Sequence, residues 1–360
     1  MEGSHSTVNI CSNNSSTRFI IYSVMTRKSN IELLRIISMI FIVLVHTNYF
    51  IFGSVIGEEI EHASFRSFGR MLFEQLCIVG VNVFVLISGY FGIRPTKRKF
   101  FNLMFQIFFW SVLSTAVGML FGVEVSLKSV AKTFWLGGYY WFVPAYIALF
   151  AFSPVLNKFI EHSTKKEFLV VVLSFFAIEF FYGWLGNMAS YSSGYSFASF
   201  IGLYLLGRYV NLYPGKLCKF DRRIDMLLYF VLSIIPAAVS FLTIIKMGKD
   251  FATISYSSPF VVFAALFLLL YFTKLNLTSQ SINWAAASVF SIYLFHQHPS
   301  IVPLFKSVFL KLNCVVNESL LLYILGAILI AVLGGFIIVC VDKIRVWLWK
   351  LITKRLSFLS

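Results

Sequence analysis

The chain has 360 residues, of which 59% are apolar and only 12% charged, against roughly 25% charged in an ordinary soluble domain. That leaves too little polar surface to cover a globule and predicts an all-α, polytopic integral membrane protein. The net charge of +15 is no sign of nucleic-acid binding, because the basic residues follow membrane topology instead.

A helix needs about 20 mostly apolar residues to cross a hydrocarbon core of roughly 30 Å. The first 24 residues, rich in Ser and Asn, have no long apolar run and do not read as a signal peptide. They predict a disordered tail over 1–29, and Met25, just before the basic Thr26–Asn30 flank, is a candidate natural start. Beyond it, segments of the required character run at about 31–52, 73–93, 100–121, 140–157, 167–186, 196–212, 226–245, 257–273, 285–305 and 319–341. About ten transmembrane helices in one membrane domain over 30–346 are therefore expected, followed by a basic tail over 347–360. With the N-terminus inside, most of the 30 basic residues fall in cytoplasmic loops or tails, among them Arg94, Lys97, Arg98, Lys99, Arg222 and Arg223. The positive-inside rule then places both termini in the cytoplasm. The five cysteines have no paired spacing, so neither a disulfide framework nor a zinc site is expected.

Inside the first segment stand Arg35 and His46. Ionisable groups inside a membrane span usually mark functional sites. Eleven residues advance a helix by close to three turns and about 16 Å, so both side chains project from one face. His46, about 22 Å from the start of the helix, is either a polar residue satisfied by a neighbouring helix or, in its neutral form, a base for a hydroxyl proton. Arg35 either snorkels to the headgroups or binds the phosphates of a cytoplasmic donor; Glu32, three residues earlier, is a pairing candidate.

Five further features complete the candidates. His296, in Ser291–Pro299, lies near mid-depth of the ninth segment and could face His46 across the bundle. Glu179 is a carboxylate near the middle of the fifth segment, either orienting a histidine or packing between helices. Arg94, Lys97, Arg98 and Lys99 satisfy the positive-inside rule and would also raise the local concentration of an anionic donor. In Gly137–Tyr146, Tyr139, Tyr140 and Trp141 read as an interfacial anchor, and the glycine pair with Pro144 as a candidate cavity wall. The uncharged stretch 187–195 is a candidate surface for a neutral sugar.

The spacing of a basic residue, ten residues and a histidine within Asn30–His46 resembles the membrane-bound acyltransferase family 3, bacterial O-acyltransferases that modify cell-surface polysaccharides. Phe84–Arg94, Gly137–Ile160 and Ser291–Pro299 are similar to further landmarks of that family, and the resemblance spans 29–345. Where many members carry two arginines spaced by two residues near the third helix, this chain has Arg94 with Lys97, or Lys99 followed by Asn102. The resemblance implies transfer of an acyl group, most often acetyl from cytoplasmic acetyl-CoA, to a hydroxyl of a polysaccharide or lipid-linked sugar. The reaction would take place in the bacterial cytoplasmic membrane, among membrane lipids and without a metal. His46 would be the essential histidine, either as the base or as a carrier that is itself acylated and passes the group on, with Arg35 its basic companion, and Arg94, Lys97, Arg98 and Lys99 would help hold the donor. Ser88, Asn82 and Tyr293 are candidate oxyanion donors. The competing readings are a polytopic transporter or glycan exporter, which could use the same residues as a substrate or proton pathway, and a purely structural or sensor membrane protein.

Overall fold

The computed structural model describes residues 28–126, 131, 140–186, 188, 191–250 and 255–355. The tail before residue 28 with its candidate start Met25, the glycine pair with Tyr139, and most of 187–190 lie outside the described residues.

Thirteen α-helices carry the described chain: α1 Ser29–Phe52, α2 Gly57–Cys77, α3 Gly80–Phe91, α4 Lys97–Leu120, α5 Phe142–His162, α6 Lys165–Ile178, α7 Phe197–Leu212, α8 Arg222–Met247, α9 Pro259–Thr273, α10 Gln280–Ala286, α11 Phe290–His296, α12 Val302–Val315 and α13 Leu320–Arg355. No strand occurs among them. Seven stretches are long and apolar enough to cross a bilayer: Ser29–Phe52, Ser64–Phe91, Lys97–Leu120, Phe142–His162, Lys165–Leu185, Arg222–Met247 and Leu320–Lys354. The protein is an all-α, multi-pass membrane protein.

Local chemistry explains most helix ends. Thr96 caps α4 by accepting from the Lys99 N–H at 3.2 Å, and Thr164 with Glu167 forms a capping box on α6. α1 stops at Gly53, whose φ of +69° is open to glycine. Pro154 interrupts the ladder inside α5, and the Ser153 hydroxyl donates at 2.8 Å to the carbonyl of Phe150 that the proline leaves without its usual donor.

The ninth apolar segment departs from expectation. Sequence alone gives one span over 285–305; the chain instead forms the seven-residue helices α10 and α11, then turns and starts α12 at Val302. Pro299 lacks an N–H and cannot continue a helix, whereas Pro303 suits the first turn of the next. Residues 347–355, set apart in the sequence as part of a basic tail, continue α13 to Arg355.

The helix bearing the arginine and histidine sits at the centre. α1 packs against α2, α3, α9, α10, α11, α12 and α13. α3 in turn lies tightly on α7 through reciprocal glycines: a Cβ on Gly89 would stand 2.1 Å from the Tyr204 carbonyl oxygen, and one on Gly207 2.3 Å from that of Leu86. Small residues of this kind let backbones approach in a membrane. The rim of α1 is thus held from nearly every direction, which fixes where its polar side chains point.

Candidate active site

His46, on α1, meets His296, the last residue of α11: His46 Nδ1 lies 3.1 Å from His296 Nε2. The other nitrogen of His296, Nδ1, is 2.7 Å from the carbonyl oxygen of Ile292. A carbonyl only accepts, so His296 Nδ1 carries the proton and its Nε2 presents a lone pair. His46 Nδ1 must then be the donor, which leaves His46 Nε2 as the nitrogen with a free lone pair. Phe50 stacks on His46 with centroids 5.2 Å apart, and Phe305 lies 5.7 Å from the ring of His296. The pair is packed in an apolar collar, with His46 half-buried and His296 buried.

Arg35 stays three turns away on α1. Its guanidinium pairs with Glu32 at 3.3 Å and keeps about a third of its surface, 31%, exposed. It lines a cavity of about 250 Å³ together with Ser88, Phe142, Tyr146, Ala287 and Phe290. A second cavity, of about 490 Å³, is lined by His296. Among the described residues the two share no lining side chain. Between them lies a layer of aromatic contacts in which Tyr293 touches Phe142, Phe290 and His296, with centroids 5.6, 5.9 and 6.0 Å apart.

The remaining expected residues fall elsewhere. Glu179 is buried, but in a π-helical turn that extends α6 over Glu179–Leu185, with its Oε2 lacking a hydrogen-bond partner and no histidine paired with it among the described residues. Of its two readings, packing between helices is the one its contacts match. Arg94, Lys97, Arg98 and Lys99 are exposed at the start of α4, where Lys99 Nζ donates to the Arg94 carbonyl at 2.9 Å. Ser88 faces the Arg35 cavity and lies 3.4 Å from the Tyr146 hydroxyl. Asn82 instead donates to the Tyr256 carbonyl at 2.9 Å.

The fold brings the two histidines together; comparison with known families says what kind of protein holds them. The family model Acyl_transf_3, described as an acyltransferase domain, matches residues 28–340. The chain belongs to that family. No curated protein and no solved structure matches it. The acyltransferase domain therefore covers nearly all of the described bundle, including both histidines and Arg35.

Two buried polar networks of the acyltransferase escape a reading by hydropathy. Near His46, Asn48 donates to Glu74 at 2.6 Å and accepts from Arg70 Nε at 3.3 Å, while Arg70 also binds Glu59 and the Gly53 carbonyl. Arg70 is only 2% exposed. Between α4, α11 and α13, the Asp342 carboxylate receives Trp110 Nε1 at 2.8 Å, the Ser291 hydroxyl at 2.6 Å and Arg345 at 2.7 and 2.9 Å. Arg345 then reaches Asn102 at 3.1 Å, so Asn102 belongs to a structural network joining α4 to α13. The available signal was spacing: Arg70 and Glu74 are four apart, and Asp342 and Arg345 three apart, each on one helix face.

Proposed function

We propose that this membrane acyltransferase moves an acyl group, acetyl in the simplest case, from cytoplasmic acyl-CoA to a hydroxyl of an extracytoplasmic polysaccharide or its lipid-linked precursor. The seat of the reaction is the bacterial cytoplasmic membrane, with the N-terminal end of α1 inside. The observation that carries the reading is the ordered pair His46–His296, backed by the Ile292 carbonyl.

His46 Nε2 is the base. A sugar hydroxyl is a weak nucleophile and a thioester a reactive donor, so a correctly placed lone pair is the main requirement. The hydroxyl proton moves to Nε2 as the oxygen attacks the thioester carbonyl. The C–O bond forms, the C–S bond breaks, and the proton passes to the departing thiolate, leaving ester and free thiol. His296 does not touch the substrate in this scheme. It is a positioning residue that holds the His46 ring and its tautomer, and its lone pair faces the positive charge that His46 acquires. Buildup of charge on a dyad of this kind follows the logic of a base oriented by a second group.

Arg35 is the counter-ion for the donor's phosphates, at the mouth of the cavity it lines. Guanidinium suits phosphate because it offers paired N–H donors in a fixed plane. Arg94, Lys97, Arg98 and Lys99 lie on the same side and attract the polyanion before it docks. The reactive end of the donor then has to travel to His46, so the rings of Phe142, Phe290 and Tyr293 part during the cycle.

The test is acyl analysis of the surface glycan in cells carrying wild type or His46→Ala at equal membrane abundance. The expected result is a loss of acylation by about 10²- to 10⁴-fold, the usual contribution of a general base. Unchanged acylation in the variant refutes the assignment.

A further inference from the structure

Beside the histidine pair runs a groove of about 490 Å³, bounded by α11, α12, α13 and the far end of α4. Its volume lies within the roughly 300–1,000 Å³ of small-molecule sites. Val43, Ile292, Phe305, Val308 and Ile338 are among its walls, and among the described residues only His296, Ser307 and Lys311 bring side-chain nitrogen or oxygen to it. Val43 is one turn from His46 on α1. The groove therefore reaches the histidine pair at His296, whose Nε2 lies 3.1 Å from His46 Nδ1, and continues as hydrocarbon surface.

An acetyl group would leave nearly all of this space unfilled. We propose that the groove holds the hydrocarbon chain of the acyl group, with the carbonyl at His46 and the chain running past His296 between α12 and α13. The donors of this protein then include acyl-CoAs longer than acetyl-CoA. The inference rests on His46 as the point of acyl transfer. The bonds made and broken are those given above, since a longer chain changes neither.

The floor of the groove is kept low by small residues of α13, Ala331, Gly334 and Gly335. A Cβ on Gly335 would meet the Ile292 side chain at 3.0 Å, whereas one on Gly334 meets no atom within 4 Å. Gly334 lies within a helix and has no positive φ that would require glycine. A larger side chain there projects into open groove rather than into a neighbour.

Full-length protein in nanodiscs would be tested by competition of acetyl-, butyryl-, hexanoyl- and octanoyl-CoA against labelled acetyl-CoA. Affinity is expected to rise roughly fourfold per added methylene until the groove is filled, the gain for moving one methylene out of water. Gly334→Leu should abolish that gain and leave acetyl-CoA binding unchanged. Val308→Trp, at a groove position that is 45% exposed, should do the same from α12, and it decides the matter if the glycine variant loses acetyl-CoA binding altogether. A gain that persists in both variants places the chain in the bilayer, with ordinary lipid in the groove, and overturns the proposal. Binding of acetyl-CoA without any dependence on chain length also overturns it, leaving the donor reading intact. If the wild-type protein binds no acyl-CoA, the donor reading itself falls and the inference with it.

Discussion

Replacing His296 isolates the role of the second histidine. In His296→Ala, His46 Nδ1 loses the acceptor that lies 3.1 Å away, and an unsatisfied buried donor costs about 1–3 kcal/mol. If the ring is held in place mainly by that bond, the same energy appears as misorientation of the base, equivalent to roughly 5- to 150-fold in turnover. His296→Gln offers a carbonyl oxygen to His46 and an N–H to Ile292, so it should recover to within about fivefold of wild type. The assay is incorporation of labelled acetyl from acetyl-CoA into membrane glycan, with turnover and apparent KM measured separately. A positioning role lowers turnover and leaves the KM for acetyl-CoA unchanged. Wild-type turnover in His296→Ala refutes the reasoning, as does a glutamine variant no better than alanine.

Arg35→Lys keeps the charge but loses the paired donors of guanidinium; with the side chain about a third exposed, the expected effect is the lower end for a charge-assisted bond, about 1.5 kcal/mol or roughly a tenfold rise in KM for acetyl-CoA at unchanged turnover. An unaltered KM would remove Arg35 from the donor site. Asp342→Asn breaks a buried ion pair with Arg345, both residues being at most 3% exposed, and should destabilise the bundle by about 3–5 kcal/mol; thermal unfolding in detergent that matches wild type would show the network to be dispensable. Gly89→Ala drives a Cβ to 2.1 Å from the Tyr204 carbonyl oxygen and should lower stability by about 1–3 kcal/mol through overpacking of α3 on α7. Gly334→Ala, with open space at its Cβ, is the matched control and should melt close to wild type.

Hydropathy and charge made the class of fold legible, because runs of about 20 apolar residues, repeated along one chain, exceed what the core of a soluble domain can bury. They also marked Arg35 and His46, since spacing on a helix is set by geometry that needs no partner. The partner was less visible. Placing His296 near mid-depth made it a candidate to face His46, but the bond between them depends on where α11 ends. Averaging hydropathy over 285–305 hides that end, even though Pro299 and Pro303 mark a stop and a restart. Depth alone also left both readings of Glu179 open, because the π-helical turn at Glu179–Leu185 shifts the face on which a residue emerges. Arg70 falls outside the apolar segments, yet it is buried because Asn48, Glu59 and the Gly53 carbonyl together satisfy its donors. A buried network cannot be seen until the helices that bring its members together are known.

The interruption of the ninth segment ties the site together. Were 285–305 one straight helix, α12 would continue the axis of α11, and Phe305 would lie some 13 Å along that axis from His296 by helical rise. Instead the chain turns at Gln297–Ile301, where the His298 carbonyl accepts from Ile301 and Val302, and Phe305 returns to within 5.7 Å of the His296 ring. The same turn leaves His296 as the last residue of a helix, facing His46, and swings α12 aside so that groove walls come from both α11 and α12. Helical backbone can be abandoned inside a membrane only where protein or a polar cavity satisfies the freed groups, and here the local carbonyl pairs do so. The break that hydropathy overlooks is therefore the feature that gives His46 both a partner and a neighbouring apolar space, and a substitution that restored a continuous helix, such as Pro299→Leu with Pro303→Leu, should disrupt both together.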